Sequence, residues 1–340
     1  MSAHIETTQT NTVTGNVNKV GWNKDGNLLS IADTNSLVHV WGLETSFNGS
    51  KFSAGSSVYS VEYNEAMSSL AAGLENGDIE IRDTEDWTLN NTVSVGSDPV
   101  KDVSWRSDGS ELLAACGNKG YVIDTSTWSV TNELDFMSST SDTVEYIVFN
   151  NDDSIILLGG VVADDNDGCF VVDATDWTEI TVLTSNSSRG AVWGPNGDYL
   201  AITSGTLARI YDTDYNNVVN LDSATDIVYD VAWTRDNKHV IYSDGGGNYN
   251  VYTHLVSDWS EDVILEDANS AVHSLEVGPK NNYLASATYG GDVFIYDLST
   301  KFIRMNTLSA DGLVDGATLK GEINEINADI SSLDVYFKYR

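Results

Sequence analysis

The side chains that most often carry out chemistry in proteins are scattered in this chain. Its histidines lie far apart in sequence, and none has a neighbour at the spacing of a metal-binding pair: His4, His39, His239, His254 and His273. The segment 245–247 is a glycine turn and not a phosphate-binding loop. Cys116 and Cys169 fall within predicted strands, where we expect buried thiols. The sequence therefore predicts no catalytic residues, no cofactor and no enzymatic activity.

The acidic stretch 161–168 has the composition of a calcium-binding loop. Aligned with such a loop, Asp165 and Asp167 fall at the third and fifth positions. Ala163 and Ala174 then occupy the first and twelfth positions, where two ligands are needed. We expect an acidic hairpin loop here, and a cation bound by Asp165 and Asp167 is the alternative.

The charge balance restricts the partners of the chain. Seventeen basic residues stand against 51 acidic ones, which gives a net charge of −34. Hydrophobic residues make up 41% of the chain, which is enough for a folded core. A folded protein of this charge suits molar salt, where self-repulsion is screened over about 3 Å.

Nucleic acid is excluded as a partner because the chain has no basic footprint. No apolar run is long enough to insert into a membrane. The start of the chain lacks the pattern of a signal peptide, which predicts a cytoplasmic or virion location at high salt.

Seven copies of one short pattern organise the chain. The clearest has apolar residues at Val100 and Val103, an aromatic residue at Trp105, a polar turn and then a small apolar run. The aromatic or equivalent final residues of the seven copies are Trp22, Tyr63, Trp105, Phe149, Trp193, Trp233 and Val277. A period of about 40 to 45 residues is the length of one four-stranded propeller blade.

A third alternating strand ends in aspartate in five of the seven copies, at Asp83, Asp124, Asp173, Asp212 and Asp297. With this feature the pattern resembles WD repeats over residues 1–308, although the Gly-His pair of that family is absent. The resemblance implies an all-β fold, a seven-bladed β-propeller of four-stranded antiparallel blades. It also implies that residues 4–13 close the last blade, and residues 302–305 are the alternative closing strand.

Tryptophans recur four residues after several of these aspartates, for example Trp87, Trp128 and Trp177. We expect them to seal neighbouring blades.

One position in each copy, four residues before its final residue, varies while the flanking positions stay apolar. The seven residues are Asn18, Tyr59, Lys101, Glu145, Arg189, Tyr229 and His273. By the resemblance to WD-repeat proteins they surround the opening of a central channel and bind a partner. Tyrosine and arginine are typical interface anchors. The alternative is that seven solvated positions vary freely without a role.

The segment 309–340 differs from the repeats. Its apolar residues are spaced alternately four and three apart, as in a heptad seam: Leu319, Ile323, Ile326, Ile330, Leu333 and Phe337. We expect a short helical or extended tail that docks on its own propeller, on another subunit or on a larger assembly.

The features together predict a non-catalytic structural and protein-binding propeller. The leading hypothesis is a capsid, turret or tail component of a virion from a halophilic system. The alternative is a cytoplasmic scaffold of a halophilic archaeon, and a propeller enzyme comes third. The expected partner is a protein or a surface glycan, with the chain forming a homo-oligomer or part of a larger assembly.

Overall fold

Seven four-stranded antiparallel sheets repeat around a ring in the computed structural model. The structure describes residues 7–43, 49–137, 139–162, 168–184, 186–279, 283–298, 305–313 and 316–323. Each sheet is one blade, and in blades 1 to 6 its strands follow one another in chain order from the channel outward. The predicted all-β, seven-bladed propeller is confirmed. Among the described residues, no helix has the length and apolar character to cross a membrane.

The strands of the first three blades have the following bounds. Blade 1 contains β2 (Val17–Trp22), β3 (Leu28–Asp33), β4 (Leu37–Gly42) and β5 (Gly49–Ser53). Blade 2 contains β6 (Val58–Tyr63), β7 (Ser69–Leu74), β8 (Asp78–Asp83) and β9 (Leu89–Ser94). Blade 3 contains β10 (Val100–Trp105), β11 (Glu111–Cys116), β12 (Lys119–Asp124) and β13 (Ser129–Leu134).

The other blades follow the same plan. Blade 4 contains β14 (Thr143–Phe149), β15 (Ile155–Val161), β16 (Cys169–Asp173) and β17 (Glu179–Thr184). Blade 5 contains β18 (Ala191–Trp193), β19 (Tyr199–Ser204), β20 (Leu207–Asp212) and β21 (Asn217–Leu221). Blade 6 contains β22 (Val231–Trp233), β23 (His239–Ser243), β24 (Val251–Leu255) and β25 (Glu261–Leu265). Blade 7 contains β26 (Val272–Val277), β27 (Tyr283–Thr288), β28 (Asp292–Asp297) and the N-terminal β1 (Thr7–Thr12).

The N-terminal strand closes the ring. β1 pairs antiparallel with β28, from Thr7 opposite Tyr296 to Thr12 opposite Asp292. The last blade therefore takes its outer strand from the start of the chain, which confirms the predicted closure by residues 4–13 over the alternative at 302–305.

The C-terminal segment contains a two-stranded hairpin of β29 (Met305–Leu313) and β30 (Gly316–Ile323). The segment is extended over 316–323, so the helical alternative is wrong for Leu319 and Ile323. A four-residue spacing places two residues on one face of a strand as well as of a helix, so it does not separate the two. The docking residues Ile326, Ile330, Leu333 and Phe337 lie outside the described residues. The predicted domain boundary after residue 308 falls within β29 and stays a prediction.

The hydrophobic core lies between blades. For example, Val20 and Trp22 of blade 1 pack in one buried cluster with Ala285, Val293 and Ile295 of blade 7. Small residues in the second strands allow the blades to approach closely. We call the contact between two successive blades a seam.

The tryptophans that are predicted to seal neighbouring blades lie in the turns before the outer strands. Trp87, Trp128 and Trp177 all have a positive φ, between 54° and 63°. Trp87 of blade 2 stacks on Phe52 of blade 1 with ring centroids 5.8 Å apart. The predicted sealing role is confirmed for this pair.

Both cysteines are buried thiols, and burial raises the pKa of Cys116 to about 11 and that of Cys169 to about 12.

Candidate partner-binding site at the channel mouth

The seven variable residues lie where the first strand of each blade begins, at one end of the channel. We call them the mouth residues, and all seven are half-buried. In five blades the mouth residue is a β-bulge that has no partner in the register of the second strand: Asn18, Tyr59, Lys101, Glu145 and His273. Arg189 and Tyr229 lie two residues before the shorter β18 and β22. A bulge re-aims its side chain relative to the alternation of the strand.

The mouth residues of blades 1 and 3 make contacts across seams to blade 2. The Nζ atom of Lys101 lies 4.4 Å from the centroid of the Tyr59 ring. The side-chain amide of Asn18 donates a hydrogen bond of 2.8 Å to the carbonyl oxygen of Val58. These contacts fix the Lys101 cation in place over an aromatic face.

A second and longer group spans blades 5 to 7. The guanidinium of Arg189 lies 5.1 Å from the centroid of the Tyr229 ring. Tyr229 stacks on His273 with centroids 4.2 Å apart, and the His273 ring lies 5.0 Å from that of Tyr289. Tyr289 is 49% exposed and ends the stack at the surface. Sequence reasoning missed Tyr289, since it lies in the turn after β27 and outside the repeated pattern.

The electrostatics show that the two groups share one opening. Burial is the main cause that lowers the pKa of His273 to about 4, and the positive charges of Arg189 and Lys101 contribute to this shift. Lys101 of blade 3 therefore acts on a residue of blade 7, and His273 is neutral at pH 7. Burial also raises the pKa of Tyr59, with contributions from Glu75, from Tyr289 and from the mouth residue Glu145. The structure thus brings all seven predicted residues to one opening, which offers fixed cations and aromatic faces to a ligand.

Below the mouth, charged residues of the first strands line the channel, which holds a cavity of about 250 Å³. Lys19 lies among carboxylates, and its Nζ atom is 3.6 Å from Asp102 Oδ1. The other carboxylates near Lys19 belong to Glu62, Asp230 and Glu276. Sequence reasoning missed these residues because they occupy the spacer positions of the repeat.

The channel carboxylates also bond to the next blade. The backbone N–H of Trp105 donates to Glu62 Oε2 at 3.0 Å, and that of Trp22 donates to Glu276 Oε2 at 2.8 Å. Burial raises the pKa of Glu62 well above its usual value and raises that of Glu276 to about 7. Burial opposes the charge of Lys19, but the surrounding carboxylates outweigh it and raise the pKa of the amine.

No metal centre is evident in the described part of the chain, where no three histidine, cysteine, aspartate or glutamate side chains are arranged to hold an ion. The candidate ligands Asp165 and Asp167 lie outside the described residues, so the cation site remains a prediction.

Comparison with known proteins supports the fold. Residues 50–150 match the family model of a WD40 repeated domain. A chain in the crystal structure of the mitotic checkpoint complex is similar in fold, with a TM-score of 0.78 and 18% sequence identity over 87% of this chain and 93% of that one. A search of curated proteins found no match to the sequence. The fold is consistent with a non-catalytic protein-binding scaffold. This chain is therefore a seven-bladed β-propeller in which residues 50–150 match a WD40 repeated domain.

Proposed function

We propose that the chain is a non-catalytic scaffold that binds a protein partner at the channel mouth. The observation that carries the proposal is the stack of Arg189, Tyr229, His273 and Tyr289. The stack spans three blades, with its rings in blades 6 and 7, and the last ring is half exposed. Aromatic and arginine side chains that are held in place before binding lose little conformational entropy on association, which favours affinity.

The mouth suits a partner that presents an acidic side chain. Lys101 and Arg189 are two of only 17 basic residues in a chain of net charge −34. Both cations are held over tyrosine rings at the same opening. A carboxylate entering here would meet two positive charges, whereas the overall charge of the chain repels it elsewhere.

A charge-reversal experiment tests this site. The double variant Lys101→Glu and Arg189→Glu is compared with Lys24→Glu and Lys238→Glu, which makes the same charge change on exposed turns at the opposite end of the first strands. Each immobilised protein is used to capture partners from an extract of its source, with quantification by mass spectrometry. We expect one set of proteins to bind the wild type and the control and to be lost from the mouth variant. Equal capture by all three proteins would refute the mouth as the binding site.

We propose further that the protein works at high salt, as a virion component of a halophilic system. The net charge of −34 supports this, because salt screens the repulsion between surface carboxylates. A cytoplasmic scaffold of a halophile is the second candidate and fits the same charge. We expect the melting temperature to rise between 0.1 M and about 3 M potassium chloride. Copurification with particles favours the virion, and copurification with soluble complexes favours the scaffold.

The apolar spacing of the tail supports self-association. Light scattering of the full chain and of an Ile330→Glu variant tests it. A defined oligomer that becomes a monomer in the variant supports the proposal, and a monomeric wild type contradicts it.

A further inference from the structure

A cavity of about 430 Å³ opens between blades 4 and 5. We call it the seam pocket, and its lining comes from the turns after β14, β18 and β20: Asn150, Asn151, Asp152, Pro195, Asn196 and Tyr215, with Trp193 at the end of β18. The mouth residues lie where the first strands begin, and these turns lie where the same strands end. The seam pocket therefore opens on the face opposite the mouth. Its volume is within the range of about 300–1,000 Å³ that is typical of small-molecule sites.

Two aromatic side chains form part of its wall. Trp193 and Tyr215 are both half-buried, so each ring presents some surface to the cavity. The backbone of Tyr215 has a φ of +63°, in the left-handed region that non-glycine residues seldom adopt. A large aromatic residue in this conformation needs compensation from its surroundings. The equivalent turns of blades 2 to 4 share this conformation, and packing of Tyr215 against the core of blade 5 supplies the compensation.

The indole N–H of Trp193 is a donor without a partner within the described part of the chain, and it is shielded from solvent. The indole N–H of Trp233, at the same position of blade 6, also lacks a partner within the described residues, whereas the indoles of blades 1 and 3 are bonded. The indole of Trp105 donates to the carbonyl of Glu62, and that of Trp22 donates to the carbonyl of Glu276, each at 3.2 Å. A buried donor left without an acceptor is costly, so this seam is closed less firmly than the seams at Trp105 and Trp22.

The remaining lining is polar and carries no positive charge. Among the described residues that line the pocket there is no lysine, arginine or histidine, and Asp152 adds a carboxylate. One oxygen of Asp152 already accepts hydrogen bonds from Ser154. The exposed Asn196 contributes an amide, which can both donate and accept. This combination disfavours phosphates and other anions, which need cations or free backbone amides.

We propose that the seam pocket binds a neutral saccharide. The apolar C–H face of a pyranose ring packs on the aromatic walls, and its hydroxyl groups bond to the carboxylate of Asp152 and the amide of Asn196. The proposal is independent of protein binding at the mouth, because the two sites have different chemistry and lie on opposite faces.

Fluorine NMR tests the proposal on the full chain. The protein has nine tryptophans, so labelling with 5-fluorotryptophan gives a spectrum in which Trp193→Phe identifies the signal of Trp193. The probes are glucose, galactose, mannose and N-acetylglucosamine, each titrated to about 100 mM, because small neutral ligands often bind with dissociation constants of about 1 mM or weaker. We expect at least one probe to shift the Trp193 signal with saturation and to leave the Trp105 signal in place.

Two variants locate the effect. Tyr215→Asn removes an aromatic wall and is tolerated at positive φ, so the fold should be retained. Tyr249→Asn is the matched control, because Tyr249 also has a positive φ, of 57°, but lies in the turn after β23 at the mouth end of its blade. We expect at least a tenfold loss of affinity in Tyr215→Asn and no change in Tyr249→Asn. Asn196→Ala, an exposed turn substitution, gives a second measure if Tyr215→Asn disturbs the other tryptophan signals. The proposal is overturned if no probe shifts the Trp193 signal, or if the shift persists in both pocket variants.

Discussion

The seam between blades 2 and 3 and the seam between blades 4 and 5 are built on the same repeat but differ in how they close. In the first, Trp105 is 7% exposed, and its backbone and indole N–H groups both donate to Glu62 of the preceding blade. In the second, Trp193 is half-buried and its indole donor has no partner within the described residues. The residue that corresponds to Glu62 is Val148, which has no side-chain acceptor for the backbone N–H of Trp193. The indole of Trp105 donates to a main-chain carbonyl, so the side chain of Val148 does not account for the unbonded indole of Trp193.

In the first seam, the glutamate of the preceding blade adds a bond to the backbone N–H of the final aromatic residue. The seam between blades 7 and 1 has the same pair of bonds, with Glu276 and Trp22. The first strand of blade 5 is also only three residues long, whereas that of blade 3 has six. The seam between blades 4 and 5 lacks these bonds and contains a pocket. At the seam between blades 5 and 6, Trp233 is 4% exposed although its indole also lacks a partner within the described residues, so packing closes that seam.

The largest expected effect comes from removing the two tryptophans in turn. Trp105→Ala should lower the free energy of unfolding by about 3–5 kcal/mol, because it creates a cavity and leaves Glu62 without its indole partner. Trp193→Ala should cost about 1–2 kcal/mol less, since its ring is half exposed and its donor is already unsatisfied. Denaturant unfolding of both variants, monitored by circular dichroism, measures the difference. Equal losses would mean that the two seams are equally closed.

A pH effect follows from the closed seam between blades 7 and 1. The pKa of Glu276 is raised from 4.5 to about 7 in the folded chain. The folded state therefore holds a proton that the unfolded state has released, and stability falls as pH rises from about 4.5 to about 7. Glu276→Gln keeps an acceptor for the backbone of Trp22 and removes the titration, so the fall should become smaller by about 2 kcal/mol.

Thermal melts across this pH range measure the change. Glu85→Gln is the control, because it removes one carboxylate from an exposed turn. If both variants change the pH dependence equally, Glu276 is not responsible for it.

The smallest effect is expected from a substitution that supplies a side-chain acceptor for the backbone of Trp193. Val148→Gln places an amide oxygen at the position of Glu62 and adds no charge to the acidic channel. It should raise the free energy of unfolding by about 0.5–1 kcal/mol through a bond to the backbone of Trp193. Val148→Leu is the control for side-chain size. A gain in Val148→Leu as large as that in Val148→Gln would assign the effect to packing.

The repeated sequence pattern predicts much of this architecture. The spacing of the seven final residues predicts the blade number, and the position four residues earlier predicts every mouth residue, because both follow from the periodicity of one strand. The closing role of the N-terminal strand also follows from its alternating pattern. These features depend on residues that are close in sequence.

The features that sequence reasoning missed depend on which residues of different blades meet. Tyr289 joins the mouth stack only because its turn reaches the first strand of its own blade at His273. The channel carboxylates surround Lys19 from four other blades. The seam pocket depends on how the turns of blades 4 and 5 meet, which no motif marks. The helical alternative for the tail failed at Leu319 and Ile323 because their spacing fits a strand equally well.

Hydrogen exchange of single backbone amides tests the difference between the seams most directly. The amide of Trp105 donates to Glu62, and we expect it to exchange at least about tenfold more slowly than the amide of Trp193, which has no carboxylate at the corresponding position. Val148→Gln should reduce this difference between the two exchange rates. Equal protection of the two amides in the wild type would contradict the account, because the seam between blades 4 and 5 would then be as firmly closed as the seam between blades 2 and 3.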